Sequence, residues 1–123
     1  MKKLKSSEIK TYRTTYLTEQ KQHCGLCWQV IPKGEEVLDH CHLTGQLRMV
    51  LHRGCNCLLG KIENNLKRNK ITPEMLTNIL LNYESYVNNT KEVLHPTFLT
   101  EAEKREKAKK RARKRNELRK GIQ

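Results

Sequence analysis

Cys24-Gly25-Leu26-Cys27, Asp39-His40-Cys41-His42 and His52-Arg53-Gly54-Cys55-Asn56 are the three runs whose reading decides the fold. Cys24 and Cys27 form one x-x pair, and His52 with Cys55 forms a second about 25 residues on. A pair of such knuckles is how proteins commonly hold tetrahedral zinc, through thiolate sulfur and neutral imidazole nitrogen. Cys24, Cys27, His52 and Cys55 are therefore read as a structural zinc site, with Gly25 expected to permit the tight turn of the first knuckle. Cys41 and Cys57 fall outside this spacing and read as free thiols. Disulfides are the competing reading. Five cysteines is an odd number, and x-x pairs suit a metal better than a cross-link.

Length and charge bound the remainder. The 123 residues accommodate one domain with extensions, and an aromatic content of 5% predicts a small core of the kind that a metal staple supports. A net charge of +12 exceeds what solubility needs and points to a polyanion. Nucleic acid is the expected partner, not a membrane, because no long apolar run or aromatic-rich amphipathic face is present. Met1-Lys2-Lys3-Leu4-Lys5 has no hydrophobic segment behind it, so no signal peptide is expected and a reducing, cytoplasmic setting is.

Four segments follow. Residues 1–22 are a helical lead-in, with Ile9, Tyr12, Tyr16 and Leu17 at helical spacing. Residues 23–68 are the metal-bearing core. There Glu36 to Leu38 and Leu47 to Leu51 read as strands around a Thr44-Gly45 loop, and a helix runs from Asn56 toward Lys67. Residues 69–99 are a helical extension that Thr72-Pro73 opens as N-cap and first helical residue. Its stripe of Met75, Leu76, Ile79, Leu80, Tyr83 and Val87 predicts a core face, with a partner-helix surface at residues 73–90 as the other reading. Residues 100–123 are a basic helix, opened by the capping box Thr100-Glu101-Ala102-Glu103 and stopped by Gly121. Residues 104–120 hold eleven Lys/Arg against two Glu and a single large apolar residue, Leu118. Such a helix is either a solvated element or an arm that orders along phosphates, and the cationic excess favours the arm.

The inner run carries the chemistry. A strand pair followed by a helix can bring Asp39, His40 and Asn56 together. Asp39 offers a carboxylate and Asn56 an amide oxygen, the hard donors that Mg²⁺ or Mn²⁺ takes while keeping positions for water and phosphate. His40, titrating near neutrality, can accept a proton from an attacking water. His42, two residues on, either orients the phosphate or assists the proton transfer.

The runs Cys24-x-x-Cys27, Asp39-His40-x-His42-x-Thr44-Gly45-x-x-Arg48 and Leu51-x-x-x-Cys55-Asn56-x-x-Leu59-Gly60 together resemble the phage recombination endonuclease VII family. That family belongs to the His-Me finger (ββα-metal, HNH-like) nucleases. The resemblance extends over residues 7 to 98, through His95-Pro96-x-Phe98, and leaves out the basic tail. It implies a small α+β fold: a zinc-stapled ββα-metal core, flanking helices and a basic C-terminal helix. It also implies His40 as general base, Asp39 and Asn56 as ligands of the catalytic metal, and Cys24, Cys27 and Cys55 on zinc. Three positions depart from the family. His52 stands where a cysteine is usual, Cys41 where an acid is common, and Met49 where glycine commonly follows the arginine.

The expected function is a metal-dependent DNA endonuclease. Cleavage of branched, recombination-type DNA leads, and would use a homodimer through residues 73–90. An HNH-type nicking or homing endonuclease is the alternative. A non-catalytic zinc module for DNA binding is a third reading, against which the Asp39-His40 pair and Asn56 argue.

Overall fold

The computed structural model describes residues 1–122. In chain order it has a 3₁₀ turn (Ser6–Glu8), α1 (Ile9–Glu19), β1 (Glu36–His40), β2 (Leu47–His52), α2 (Arg53–Arg68), α3 (Pro73–Asn88) and α4 (Glu101–Ile122). This is a small α+β fold with four α-helices and one two-stranded sheet. The described residues divide into two compact units, Met1–Leu80 and the residues from Leu81 on.

In the first unit β1 and β2 pair antiparallel, with Glu36 opposite His52, Val37 opposite Leu51 and Leu38 opposite Val50. The connecting loop closes where Gly45 takes φ +76° and its N–H reaches the Cys41 carbonyl at 2.7 Å. That conformation is open to glycine at no steric cost. The register slips between Leu38 and His40. An irregularity of this kind re-aims side chains, and here Asp39 is buried while His40 is exposed. β2 leads without a break into α2, so His52 is at once the last strand residue and the N-cap of the helix.

The core is small. Cys24, Ile31, Val50 and Leu51 are buried, and Tyr16, Leu17, Leu38, Cys55 and Leu59 pack around them. Two of these nine, Cys24 and Cys55, belong to the x-x pairs, so the core and those pairs are one structure. α1 supplies Tyr16 and Leu17 and then stops, because Lys21 and Gln22 adopt positive φ.

Gln20, just past α1, does what a third strand would do. Its side-chain oxygen accepts from the Val50 N–H at 2.8 Å, and its Nε2 donates to the carbonyls of Val50 and His23, each at 2.8 Å. The open edge of β2 at Val50 is thereby closed by this amide together with the Gly25 N–H, which donates to the Val50 carbonyl at 3.0 Å. Gly25 serves packing. Its φ is not positive, contrary to the turn-forming role read from the sequence, but a Cβ there would stand 2.6 Å from Met49 Cβ. A side chain at residue 25 would have to displace Met49. The left-handed residue of the knuckle is instead Trp28 (φ +64°), whose N–H donates to the Cys24 carbonyl at 3.0 Å and whose ring is largely exposed.

Two helix boundaries differ from the sequence reading. α2 begins at Arg53 and not Asn56, because the chain leaves β2 directly into helix. α4 runs through Gly121 to Ile122, so that glycine is not a stop. The N-terminal signals hold: Glu103 N–H donates to Thr100 Oγ1 at 3.2 Å, and Thr100 N–H to Glu103 Oε2 at 2.7 Å. Thr72 Oγ1 likewise accepts from the Met75 N–H at 3.2 Å.

The core assignment of the α3 stripe is overturned. No residue of α3 is buried, and Met75, Ile79, Leu80, Tyr83 and Val87 are all exposed. Apolar spacing marks a face, and the four-residue buried core supplies no surface to cover it.

Removing the Gln20 amide should expose the dependence of the sheet on it. Gln20→Ala leaves the buried Val50 N–H without an acceptor, which costs about 1–3 kcal/mol. Urea unfolding of the zinc-loaded protein should register that loss. An unchanged midpoint would mean that water replaces the amide.

Candidate functional site

Cys24, Cys27, His52 and Cys55 converge, with their ligand atoms all within 4.8 Å of one another. A tetrahedron with Zn–S bonds of about 2.3 Å has edges of about 3.8 Å, so the cluster needs only a small contraction to close on zinc. The Cys27 and Cys55 sulfurs lie 3.3 and 3.8 Å from His52 Nδ1. The opposite ring nitrogen, Nε2, is 2.9 Å from the Val30 carbonyl. A carbonyl can only accept, so this contact places the proton on Nε2 and leaves the Nδ1 lone pair for a metal.

The thiols differ sharply in acidity. Burial opposes the Cys24 thiolate, but N–H groups of Cys27, His52 and Leu26 outweigh it and bring the pKa down to about 6. Burial, with the sulfurs of Cys27 and Cys24 close by, pushes Cys55 up to about 12. One anion is thus stabilised and further anions are resisted. A divalent cation removes that resistance, since a coordinating thiol is deprotonated outright. The donor set fits a structural zinc ion. All five cysteines are free of disulfides, and Cys41 and Cys57 lie outside the cluster.

A groove of about 430 Å³ lies between the hairpin and α2. Asp39, His42 and Asn56 line it, together with Arg48, Gly60 and Lys67. Of the predicted inner residues, His40 is the one outside this lining. Its exposed ring stacks on that of His42, with centroids 4.7 Å apart and planes 10° from parallel. The predicted set is therefore split: two oxygen donors and one histidine in the groove, and a second histidine stacked on the first.

Arg48 organises the groove. Its Nε donates to Asp39 Oδ2 at 2.6 Å and its Nη2 to Glu63 Oε1 at 2.7 Å. One guanidinium fork ties a β1 carboxylate to an α2 carboxylate, and so ties together the two elements that carry Asp39 and Asn56. Asp39 is 6% exposed, and a buried carboxylate needs such a partner. Sequence spacing could name Arg48 but not its partners. The register slip beside Asp39 and the nine-residue separation of Asp39 from Arg48 hide the pairing from a period-2 reading.

In the second unit, Lys104, Lys107, Arg111, Lys114 and Arg115 share one face of α4, where Ala108, Leu118 and Leu99 line a shallow groove with them. The face is cationic along its length and holds no group suited to bond cleavage. Among the described residues no helix is long and apolar enough to cross a membrane.

Comparison with protein families finds that the model for recombination endonuclease VII matches residues 2–85. The chain belongs to the recombination endonuclease VII family, and the substrate class is accordingly DNA. The match spans the hairpin, α2 and most of α3, and ends before His95-Pro96-x-Phe98, so it is shorter than the resemblance drawn from sequence. No curated protein matches the chain significantly.

The zinc assignment predicts a stoichiometric metal that survives dialysis. In Cys24→Ser or Cys55→Ser the hairpin and both knuckles should lose their cooperative thermal transition, because binding energy at a structural site is folding energy. Either variant melting like the parent without zinc would remove the assignment.

Proposed function

We propose that this protein is a metal-dependent DNA endonuclease that hydrolyses phosphodiester bonds in branched, recombination-type DNA. The observation that carries the reading is the groove in which Asp39 and Asn56, the two hard oxygen donors, face one space beside His42. Mg²⁺ or Mn²⁺ bound there would polarise the phosphate and offset the charge that develops on it. Asp39 and Asn56 are the residues to hold it. Arg48 keeps one Asp39 oxygen occupied at 2.6 Å, which leaves Oδ1 to ligate.

His40 is the general base in this reading. Its ring is exposed and stacks on that of His42, which would orient the phosphate or relay the proton. The exposed apolar residues of α3 support pairing of two copies through residues 73–90, which would set two active sites against two strands. The chain is then organised as lead-in (1–22), nuclease core (23–68), pairing extension (69–99) and phosphate-binding arm (100–123). Five free thiols suit a reducing cytoplasm.

Matched linear, nicked and four-way-junction DNA, incubated with the protein in Mg²⁺, tests the reading. Junction DNA should be cut fastest. Preference for one linear sequence would indicate a homing-type enzyme, and binding without cleavage a zinc DNA-binding module. His40→Ala should lose about 10²–10⁴-fold in rate, the usual share of a general base, with zinc content and DNA affinity unchanged. Full activity in His40→Ala with none in His42→Ala would move the base to the groove histidine.

The arm is tested by deleting residues 104–123. Each phosphate neutralised contributes about −0.9 to the slope of log K against log salt, so five contacts give roughly −4 to −5. The truncated protein should bind more weakly at low salt, with a flatter salt dependence, about equally for all sequences. Its single-turnover rate at saturating enzyme should hold. Loss of preference for one target at unchanged affinity would make the arm a reader of sequence.

A further inference from the structure

Gly60 is the eighth of sixteen residues in α2, an interior position where glycine is less stable than alanine. Glycine is retained in folded proteins for a few physical reasons, and each can be checked here. Its φ is not in the left-handed region. It does not make room for a neighbour either: a Cβ on Gly60 would meet no atom within 4 Å outside its own helix backbone. Gly25 shows the contrast, since its missing Cβ is filled by Met49. Nothing in the free protein requires residue 60 to be glycine. The remaining use of the residue is close approach of something from outside.

The position says what that is. Gly60 lines the groove on the helix face it shares with Asn56 and Asn64, four residues to either side, and with Lys67 one turn further on. Asn56 to Lys67 spans about 16 Å at 1.5 Å per residue. The two carboxylates of the groove, Asp39 and Glu63, are both paired with Arg48. With Lys67 counted, two negative and two positive side chains balance, so an anion meets no net repulsion before any cation binds. Amide donors, a bare helix surface and a terminal lysine suit a sugar–phosphate chain.

We propose that the α2 face bearing Asn56, Gly60, Asn64 and Lys67 seats the DNA backbone flanking the cleaved bond, with Gly60 its point of closest approach. This rests on the endonuclease reading and adds to it a docking surface. Asn64 donates to a phosphate oxygen and Lys67 pairs with the next. The bare stretch at Gly60 lets a deoxyribose lie against the helix, which fixes how far the reacting phosphate enters toward Asp39 and Asn56.

A size series at this one position tests the proposal. Gly60→Ala and Gly60→Leu both place a better helix former in open space, so both zinc-loaded proteins should unfold at or above the wild-type midpoint. Binding to a labelled duplex, without added divalent cation, should weaken about threefold for alanine and by more than tenfold for leucine. Junction cleavage at saturating Mg²⁺ should fall in the same order. Equal losses for alanine and leucine would point to helix stiffness and overturn the proposal, as would unchanged binding and cleavage in both. A leucine variant that fails to reach the wild-type midpoint would show that the space is filled by the protein itself, which also overturns it. Absence of cleavage in the wild type would instead sink the endonuclease reading, a separate outcome.

Discussion

The convergence of Cys24, Cys27, His52 and Cys55 is the constraint on which the first unit depends. Cys24 is both a member of this cluster and one of four buried core residues, and Cys55 packs beside it. His52 joins β2 to α2, so whatever holds His52 also sets where the helix starts. Asn56 follows Cys55 directly, and Asp39 is tied to α2 through Arg48 and Glu63. A core of four buried residues supplies too little burial to fix these positions unaided. The metal cluster and the arginine fork are the two clasps that make a hairpin and a helix into a groove.

The two clasps differ in kind. The cysteine cluster favours one thiolate, at Cys24, and resists a second, at Cys55. The arginine fork neutralises its carboxylates internally and is complete as it stands. A metal bound at the first would couple folding to metal supply, whereas the second ties the hairpin to α2 through protein groups alone.

Much of this was legible in the sequence, and the reasons are local. The x-x pairs named the four residues that converge, because a knuckle is defined by spacing alone. The strands, the helix after them and the Thr100 and Thr72 caps were legible from period and capping chemistry. The roles of Gln20, Arg48 and Glu63 were not, because side chains that bond across nine to thirty residues leave no periodic trace. The α3 stripe was misread as core for a related reason: periodicity reports that a face is apolar but not what covers it. His40 was expected beside Asp39 and Asn56, and the slip in register instead turns Asp39 inward and leaves His40 out of the groove lining.

Trp28 is the only tryptophan in the chain, immediately follows Cys27, and is held at positive φ with its ring largely in solvent. Its backbone N–H is committed to the Cys24 carbonyl, so the ring is anchored to the knuckle and not to the groove. The protein consequently carries its own optical label at the zinc cluster. Indole emission gives the state of that clasp separately from events at Asp39 and Asn56, without a dye and without altering a residue.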